Sequence, residues 1–435
     1  MKGNSFGKLF GFTTFGESHG HYMGIVIDDV LPGVDFPFVE LKNALSLRRP
    51  AQSEFSSSRN EIDDFEVISG VFEGKTTGMP ICILFPNNDI RSADYDELKN
   101  VFRAGHADFS WFQKFKIYDF RGGGRASGRE TISRVAAGVF VKKILGDIEI
   151  KVYPLKIGGI MASSVDFEFM ESNLIKWTDP KTFDSIYELL QKTKAERDSV
   201  GALVQVKIYN VPAGLGDPVF EKLDANLAKA ILSIGGVKGI EFGSGFKLSD
   251  MNGSESNLSI HQGGIAGGVS DGNVIYFNIA VKPVSSIGKP QLQKVKDSCI
   301  KNSQPKIVTI KGRHDICLVP RILPVIESMT RLVLADAIAY QDLISSTQKK
   351  LYDYREALEK IDEDIMIALY RRLEISKSIG EYKKKNNIPI YDEKREKKVF
   401  KNISDIAEKF QIPVEFAQNI WSLILKESKQ KQTNL

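Results

Sequence analysis

Hydrophobic residues at helical spacing follow a glycine-rich loop in the first third of the chain. Just after Arg121 and three consecutive glycines, apolar side chains recur at steps of three and four residues: Ile132, Val135, Ala136, Val139, Phe140 and Ile144. This period predicts an amphipathic helix. Ser127 and Glu130 stand just before it at the spacing of a capping box, and they predict that the helix begins there.

The rest of residues 1–342 mixes strand-like runs with helical periods. Apolar alternation predicts strands over 23–27, 203–209 and 274–281, and over several short runs within 64–86 that are separated by turns at Gly70, Gly74 and Gly78. Helical periods predict helices over 40–47, 223–234 and 326–340. This mixture is typical of an α+β domain. No spacing in it matches the dinucleotide fingerprint or the P-loop.

The pattern changes after residue 342. The composition turns polar around residues 342–350, of which 343–350 are predicted to form a linker, and residues 351–385 then contain no proline and no glycine before Gly380. One apolar face runs along this stretch, so it predicts a single helix of roughly 50 Å. Two further helices are predicted over 395–408 and 413–429, which makes 351–435 an all-α, three-helix domain. A module of this size cannot bury so long a helix alone, so we expect it to pair with a second copy of the chain.

Composition places the chain among ordinary globular proteins and excludes several other classes. It has 435 residues, 42% hydrophobic and 26% charged, with a net charge of +4. The mild charge argues against nucleic-acid binding, and no apolar run approaches the length of a membrane span. Three well-separated cysteines imply neither a zinc knuckle nor a disulfide framework, and no signal peptide is visible, so we expect a cytoplasmic protein.

Candidate chemistry concentrates around the glycine loop. Glycines that lead into a helix N-terminus form an anion site, and the arginines beside this loop favour phosphate or carboxylate; a glycine turn with a solvated basic rim is the alternative. His19 and His106 each stand beside glycines, and Arg313, His314 and Asp315 form a compact cluster of cation, base and acid. A turn histidine bonded to backbone explains His19 equally well. His19 and His21 lack a patterned third ligand, so no metal is predicted.

Residues 1–342 contain a series of characteristic segments: GNSFGKLFGFTTFGESHG, RRPAQS, SGVFEGKTTGMP, RAGHADFSWFQKF, RGGGRASGRET, VKGIEFGSGF, GGIAGGVSDG, KPVSS and GRHD. By these segments, residues 1–342 resemble the chorismate synthase family over nearly their whole length. The resemblance implies a sheet–helix–sheet sandwich and a homotetramer. It also implies conversion of 5-enolpyruvylshikimate 3-phosphate to chorismate by trans-1,4-elimination of phosphate, with reduced FMN required although there is no net redox change.

The same resemblance assigns roles to individual residues of this chain. His19 and His106 are the acid/base histidines, which protonate the leaving phosphate and the flavin respectively, and Asp315 helps the flavin accept the ring proton. The residues expected to grip the substrate's phosphate and carboxylate are Arg48, Arg103, Arg129 and Arg313. The residues expected to hold FMN are Arg48, Arg125, Ala126, Ser127, Gly235, Gly236, Gly267, Lys282, Pro283, Val284, Ser285, Ser286 and Arg313.

Three positions depart from the family pattern. Glu54 stands where many members have an arginine linked to NADPH, which argues against an intrinsic NADPH-dependent flavin reductase and for an external one. Ala126 replaces the usual serine, and Gly235 replaces a common asparagine; contacts at both positions can be made by the main chain.

The second part of the chain carries a spaced set of residues: Arg355, Asp362, Arg372, Lys383, Pro389, the run Asp392–Glu396, Ser428 and Gln432. By these residues, 351–435 resemble the all-helical chorismate mutase family, which rearranges chorismate to prephenate as an interlocked dimer without a cofactor. By this resemblance Lys383 and Gln432 stabilise the breaking ether oxygen, and Glu396 takes the ring hydroxyl. Arg372 and Arg395, with Arg355 from the partner chain, bind the carboxylates, and Asp392 and Ser428 support them. Arg372 and Lys383 are eleven residues apart and therefore share one helix face.

The two motif sets on one chain predict a bifunctional enzyme that makes chorismate and then rearranges it to prephenate. The alternative is that the helical module is a regulatory or dimerising unit that binds chorismate or prephenate without catalysis. A module that only binds its ligand need not keep Lys383, Glu396 and Gln432, so their presence together favours the first hypothesis.

Overall fold

The chain forms two compact units, Met1–Ser345 and Ser346–Leu435. A computed structural model describes residues 3–50, 53–57, 62–88, 98–99, 101–295, 306–310, 314–345 and 351–433. The predicted linker over 343–350 lies partly in a helix, because residues 343–345 end the last helix of the first unit, and 346–350 lie outside the described residues. Among the described residues, no helix is both long enough and apolar enough to cross a membrane.

The strands are short and mostly antiparallel. They are β1 (Ser5–Phe6), β2 (Phe12–Gly16), β3 (Tyr22–Ile27), β4 (Glu66–Ser69), β5 (Val71–Phe72), β6 (Lys75–Thr76), β7 (Ile81–Pro86), β8 (Val101–Phe102), β9 (Glu149–Ile157), β10 (Ile160–Met161), β11 (Ala202–Tyr209), β12 (Val237–Phe242), β13 (Ile265–Ala266), β14 (Val269–Ser270), β15 (Ile275–Val281), β16 (Gln291–Val295) and β17 (Lys306–Val308).

The helices divide between the two units. They are α1 (Phe38–Arg48), α2 (Asp108–Phe115), α3 (Thr131–Phe140), α4 (Phe167–Ser172), α5 (Phe183–Ala195), α6 (Leu223–Leu232), α7 (Gly253–Ser256), α8 (Ser259–Gln262) and α9 (Val319–Ser345) in the first unit, and α10 (Leu351–Lys385), α11 (Glu393–Lys409) and α12 (Val414–Thr433) in the second.

Two five-stranded antiparallel sheets enclose a layer of helices in the first unit. One has the order β1-β2-β3-β7-β4 and the other β10-β9-β11-β15-β12. Alternate residues of their central strands are buried, as in β7, where Ile81, Ile83 and Phe85 face inward. This alternation is what a sheet with one covered face requires. The predicted sheet–helix–sheet sandwich is therefore confirmed.

The helix layer consists of α1, α3, α6 and α9, which contact one another, while α3 also packs on β3, α6 on β12 and α9 on β9. Helices α3 and α9 approach closely at Gly138, where an added Cβ would lie 2.6 Å from the Cβ of Ser328. Only glycine allows this approach, because interior packing leaves no room for an extra carbon. The crossing brings the glycine loop before α3 and the loop before α9 to the same end of the layer.

Several helix boundaries differ from the sequence prediction. Ser127 accepts a hydrogen bond from the Arg129 backbone N–H within a 3₁₀ turn, and α3 itself begins at Thr131. Glu130 does not complete a capping box, because its carboxylate pairs with Arg134 at 3.0 Å. The helix ends at Phe140, short of Ile144. By contrast, α9 begins seven residues before the predicted start, because it accommodates Pro324 within the helix at the loss of one backbone hydrogen bond.

The second unit is the predicted set of three helices. Helix α10 spans the whole of the predicted 35-residue stretch, and α12 contacts both α10 and α11. The core that these helices enclose is small and is formed by Ile403, Ala407 and Ala417 with three half-buried neighbours. Several apolar side chains of α10 remain exposed within the chain: Leu358, Ile361, Ile365, Met366, Ile375 and Ile379. The unit therefore leaves most of the apolar face of its longest helix uncovered.

Candidate active sites

A cavity of about 610 Å³ in the first unit is lined by segments that are far apart in sequence. This volume lies in the range of small-molecule sites, roughly 300–1,000 Å³. The residues predicted to have catalytic or binding roles that line it are His19, Arg48, Arg103, His106, Ala126, Ser127, Arg129, Gly235, Gly236, Lys282, Pro283, Val284, Ser285, Ser286 and Asp315. Residues that the sequence separates by almost 300 positions thus meet around one space.

His106 belongs to a buried cluster with Asp108 and Arg103. The Asp108 carboxylate accepts hydrogen bonds from Arg103 Nε at 2.8 Å, from Arg103 Nη2 at 2.9 Å and from the Arg103 backbone N–H at 3.2 Å. Its Oδ1 also lies 2.7 Å from His106 Nδ1. Because an ionised carboxylate only accepts hydrogen bonds, the contact requires the proton on Nδ1. The Nε2 lone pair of a neutral His106 ring is therefore available to accept a proton from a ligand.

The surroundings keep the ring neutral. Burial lowers the pKa of His106, and the nearby charges of Arg103 and Lys282 lower it further, although Asp108 partly opposes them. The same cluster lowers the pKa of Asp108: burial alone would raise it, but the hydrogen bonds from Arg103 and His106 outweigh burial. A neutral imidazole held by an ionised carboxylate is an arrangement suited to taking up and releasing a proton.

The glycine loop fits against both predicted acid/base histidines. A Cβ added at Gly122 would overlap the ring of His19, and one added at Gly123 would lie 2.8 Å from Cε1 of His106. Both glycines also have positive φ, at 57° and 90°. His19 is buried, and its Nδ1 lies 3.1 Å from the hydroxyl of Ser18. Two adjacent residues without side chains thus let two histidine rings reach one loop.

Two of the arginines predicted to bind the substrate's phosphate and carboxylate share one buried aspartate. Arg48 Nη2 lies 2.5 Å from Asp63 Oδ2, and Arg129 Nη1 pairs with Asp63 Oδ1. The side chain of Asp63 has no exposed surface. Burial would raise the pKa of Asp63, but the two arginines outweigh burial and hold it below its usual value. Asn87 completes the arrangement by accepting from Arg129 Nε at 3.0 Å. The guanidinium groups are therefore held in place before any substrate arrives.

Asp315 is held from two sides at the cavity wall. Its Oδ1 accepts from the Ser57 backbone N–H at 2.8 Å, and its Oδ2 pairs with Arg321 Nη1 at 2.5 Å. The next residue, Ile316, donates its backbone N–H to the Phe55 carbonyl at 2.9 Å. Residues 53–57 therefore form a short backbone support for Asp315. Arg313 lies outside the described residues.

The predicted cofactor segments are joined by main-chain contacts. The Lys282 ammonium donates to the Gly105 carbonyl at 2.6 Å, and the Lys282 backbone N–H donates to the Gly236 carbonyl at 2.9 Å. Burial, together with the charge of Lys238, lowers the pKa of Lys282. This lysine therefore ties the glycine pair at 235–236 to the loop that precedes His106.

Two residues predicted to hold the cofactor lie away from the cavity lining. The guanidinium of Arg125 donates to the Thr14 hydroxyl at 2.7 Å and to the Asn4 side chain at 3.2 Å, so it is used in fixing the glycine loop to β2. Gly267 lies in the turn between β13 and β14. Neither residue is among those that line the cavity of this chain.

Glu54 is bonded to α5. Its carboxylate accepts from the Tyr187 hydroxyl at 2.6 Å and from the Gln191 amide and the Lys194 ammonium at 3.0 Å each. These hydrogen bonds lower the pKa of Glu54, the one from Tyr187 most. The position where many members of the resembled family have an arginine thus carries an acid that anchors residues 53–57 to a neighbouring helix.

Sequence reasoning missed Asp63, Asp108 and Arg321 as parts of this site. Asp108 stands two residues after His106, a spacing that could have suggested it. Asp63 follows no motif, and only the fold brings it between two arginines. His314 lines the cavity, and burial lowers the pKa of its ring. Within the described residues, no group of three or more metal-ligating side chains is in position to hold a metal ion.

The second unit brings several of its predicted residues together between helices. Arg372 of α10 donates to the hydroxyl of Ser428 on α12, and burial lowers the pKa of this arginine. Lys383 donates to the Ile390 carbonyl at 2.6 Å. Asp392 accepts from the Arg395 backbone N–H at 3.0 Å and so caps α11. Arg372 therefore joins α10 to α12, and Lys383 joins the end of α10 to the connection that precedes α11.

Glu396 and Gln432 complete this cluster on α11 and α12. Glu396 lines a groove of about 470 Å³ with residues of α12 and pairs with Lys429 at 2.6 Å. The side-chain oxygen of Gln432 is buried and has no hydrogen-bond partner within the described part of the chain. Arg355 lies exposed near the other end of α10. The predicted mutase residues therefore share one region, except Arg355.

Comparison with known proteins gives consistent results for both units. The family model described as chorismate synthase matches residues 10–339, and the one described as chorismate mutase type II matches residues 354–433. The chorismate synthase of Nitratidesulfovibrio vulgaris is 43% identical over 358 residues, which cover 80% of this chain and all of that protein. That of Methanosarcina mazei is 45% identical over 354 residues, covering 77% of this chain and 96% of that protein.

A crystal structure of a chorismate synthase has the same fold. It matches 83% of this chain and 99% of its own length with a TM-score of 0.59 and 24% identity.

Proposed function

The chain belongs to the chorismate synthase family and also carries a chorismate mutase type II domain, and from this premise we propose a role for each residue of the two sites. The protein is a bifunctional shikimate-pathway enzyme with chorismate synthase and chorismate mutase activities. The observation that carries the residue assignments is the convergence of two histidines, three arginines and Asp315 on one cavity.

In the synthase site, Arg48 and Arg129 bind the substrate's phosphate, and Arg103 binds its carboxylate. Their fixed positions support this assignment, because guanidinium groups that are already oriented stabilise charge on the departing phosphate without reorganisation. Asp63 offsets one of the two positive charges next to the phosphate. Arg313, which lies outside the described residues, remains a proposed fourth member of this set.

His19 protonates the departing phosphate, and His106 is the proton carrier that serves the flavin. The support for His106 is its Nδ1–Asp108 contact at 2.7 Å, which fixes the ring and leaves Nε2 for proton transfer. Asp315, held by Ser57 and Arg321, assists removal of the ring proton. The two histidines reach the loop at Gly122 and Gly123, so both of them face the same cavity.

The cavity fits reduced FMN in its donor chemistry. Arg48 Nε and His314 Nε2 are buried and have no hydrogen-bond partner within the described residues, as expected where donors and acceptors await a polar ligand. Backbone groups at Ala126, Ser127, Gly235 and Gly236 and the segment Lys282 to Ser286 would hold the cofactor, with Arg125 as a support of the loop. When bound, reduced FMN supplies the electron-rich ring that assists cleavage of the carbon–oxygen bond.

We propose that the flavin is reduced by a separate reductase and not by NADPH bound to this chain. Glu54 supports this proposal, because it places a negative charge, engaged with Tyr187, Gln191 and Lys194, where a cation would be needed for a phosphate. The absence of paired cysteine spacing supports a cytoplasmic location, where reductases and reduced flavin are available.

In the mutase site, Arg372 and Arg395, with Arg355 of a second copy, bind the two carboxylates of chorismate. Lys383 and Gln432 stabilise the ether oxygen, Glu396 accepts from the ring hydroxyl, and Asp392 and Ser428 support them. The buried oxygen of Gln432, without a partner in the described residues, supports a ligand-directed amide. Catalysis here consists of holding the substrate compact and stabilising developing charge.

The exposed apolar face of α10 supports pairing with a second copy of the chain. Ile361, Ile365 and Ile375 expose more than half of their surface, and a face of this kind marks an interface. The synthase unit contributes the tetramer that its family implies. We propose a homo-oligomer in which both interfaces are used.

The alternative, a regulatory helical module, is tested by Lys383→Ala in the full chain. If the module is catalytic, prephenate formation falls by roughly 10²-fold or more while chorismate formation is unchanged. Unchanged prephenate formation would favour the regulatory role.

The experiment that tests the whole assignment is anaerobic turnover of 5-enolpyruvylshikimate 3-phosphate with chemically reduced FMN. Phosphate, chorismate and prephenate are followed together. We expect phosphate release with chorismate passing into prephenate. Accumulation of chorismate would restrict the enzyme to its first activity, and failure to release phosphate would overturn the synthase assignment.

A further inference from the structure

Lys429 contacts a residue of the mutase site, although none of the assignments above gives it a role. Its ammonium lies 2.6 Å from Oε1 of Glu396, and the two side chains are 42% and 24% exposed. The ammonium also lies 5.1 Å from the centroid of the Tyr391 ring, a cation–π contact. Lys429 is therefore held by two partners that come from the start of α11 and the connection before it.

The neighbours of Lys429 belong to the site. Ser428 precedes it on α12 and accepts from Arg372, and Gln432 follows one turn later on the same face. Tyr391 follows Ile390, whose carbonyl accepts from Lys383. Lys383 and Lys429 thus contact adjacent residues of the connection between α10 and α11. Lys383 binds the Ile390 carbonyl, and Lys429 lies over the Tyr391 ring.

Charge gives the contact a consequence for catalysis. The substrate carries two carboxylates, and Glu396 adds a third negative charge beside them. At the separations found within one site, such charges repel strongly unless a cation lies close by. The Lys429 ammonium is placed to compensate the charge of Glu396 while it holds the carboxylate in one position.

We propose that Lys429 is a positioning residue of the mutase site: it fixes the Glu396 carboxylate against Tyr391 and offsets its charge, so that the dianionic substrate can bind next to it. This inference rests on the proposed role of Glu396. Because the substrate has the same charge in the ground state and in the transition state, the compensation strengthens the binding of both equally.

The test is steady-state mutase kinetics of the full-length protein with Lys429→Met. We expect KM for chorismate to rise roughly fivefold, with kcat within about twofold of wild type, as a half-exposed ion pair allows. Lys429→Arg restores the cation and should return KM to the wild-type value. The matched control is Lys397→Met. It removes the partner of Glu393 in an exposed ion pair of 2.7 Å, which lies on α11 beside Glu396. The KM of this control variant for chorismate should not change.

A double-mutant cycle with Glu396→Gln separates this inference from the proposed function. If Lys429 acts through Glu396, the KM effect of Lys429→Met disappears in the Glu396→Gln background. Equal effects in both backgrounds, or an unchanged KM in Lys429→Met alone, would overturn the role of Lys429. Wild-type kinetics for Glu396→Gln would instead overturn the proposed role of Glu396.

Discussion

His106 and Asp108 form a hydrogen bond of 2.7 Å between Nδ1 and Oδ1 inside the synthase unit. The same carboxylate holds Arg103 through three further hydrogen bonds. One aspartate thus sets the tautomer of a proposed acid/base residue and the direction of a proposed substrate-binding arginine. Its replacement should therefore affect proton transfer and binding together.

Asp108→Asn should lower synthase kcat by about 10²-fold while leaving mutase activity unchanged. The amide cannot enforce the Nδ1–H tautomer, so Nε2 no longer takes up protons correctly. Release of phosphate from 5-enolpyruvylshikimate 3-phosphate measures the loss. Synthase kinetics equal to wild type would contradict the role given to this pair.

The same substitution should also move the titration of His106. Asp108 raises the pKa of the ring against the effects of burial, Arg103 and Lys282. Its charge is lost in Asp108→Asn, so the pKa of His106 should fall further below its ordinary value of 6.5. NMR titration of the ring Cε1–H in both proteins measures the shift. A shift toward higher pH would show that the carboxylate does not control this histidine.

Gly123→Ala should abolish synthase activity, whereas Gly124→Ala should reduce it far less. Both glycines have positive φ, so each substitution strains the backbone by about 1 kcal/mol or more. Only at position 123 does the new Cβ meet a histidine ring, 2.8 Å away, because the nearest atom at position 124 is 3.5 Å away. The comparison therefore separates backbone strain from displacement of His106 and of the Arg103 guanidinium, which lies 3.1 Å from the same Cβ. Equal losses would mean that strain alone is responsible.

Asp63→Asn should destabilise the synthase unit by about 3–5 kcal/mol, because two buried guanidinium groups lose their common counter-charge. Urea denaturation followed by tryptophan fluorescence, to which the buried Trp177 of the synthase unit contributes, measures the change. Asp35→Asn is the matched control, since the Lys75–Asp35 pair is exposed and should contribute little. Similar values for both variants would contradict a structural role for the buried pair.

The Asp63 contribution should depend on pH in a defined direction. The pKa of Asp63 is held below its ordinary value of 3.8 by Arg48 and Arg129. A group whose pKa is lower in the folded state stabilises the fold fully above its unfolded value, and this stability is lost as the pH falls below that value. Acidification below 3.8 should therefore narrow the difference in unfolding free energy between wild type and Asp63→Asn. A difference that is independent of pH would contradict this linkage.

Two inactive mutase variants should restore activity when they are mixed. If Arg355 serves the site of a second copy, Arg355→Ala and Lys383→Ala chains can form a pair in which one site is intact. After exchange of subunits, about a quarter of wild-type mutase activity should return. Mixing two preparations of the same variant is the control. Failure to recover activity, with exchange shown by mass spectrometry, would place Arg355 in the site of its own chain.

The sequence predicted most of the cavity because its residues stand in compact local motifs. Glycines before a helix, with arginines beside them, carry an anion-binding signal in themselves. His19, Arg48 and Asp315 occur in short segments that carry the family resemblance. Long stretches with a regular hydrophobic pattern were also predicted closely, as for α10 and β11.

The remainder depends on the tertiary structure. Asp63 becomes part of the site only because α1 and the 3₁₀ turn before α3 bring Arg48 and Arg129 to it, and no local sequence pattern signals that meeting. Ser127 and Glu130 have the spacing of a capping box, yet Arg134 competes for the glutamate and a 3₁₀ turn precedes the helix. Arg125 looks like a ligand-binding residue in sequence, but Thr14 and Asn4 engage it.

The construction of the cavity also determines when it can exist during synthesis of the chain. His19 and Arg48 leave the ribosome early, whereas Asp315, Arg321 and α9 follow only after most of the unit has been made. Helix α9 is also the element that joins α1, α3 and α6 into one layer. A nascent chain that stops before it has neither the acidic wall nor the helix packing, so ligand binding belongs to the last stage of folding and stabilises only the completed unit.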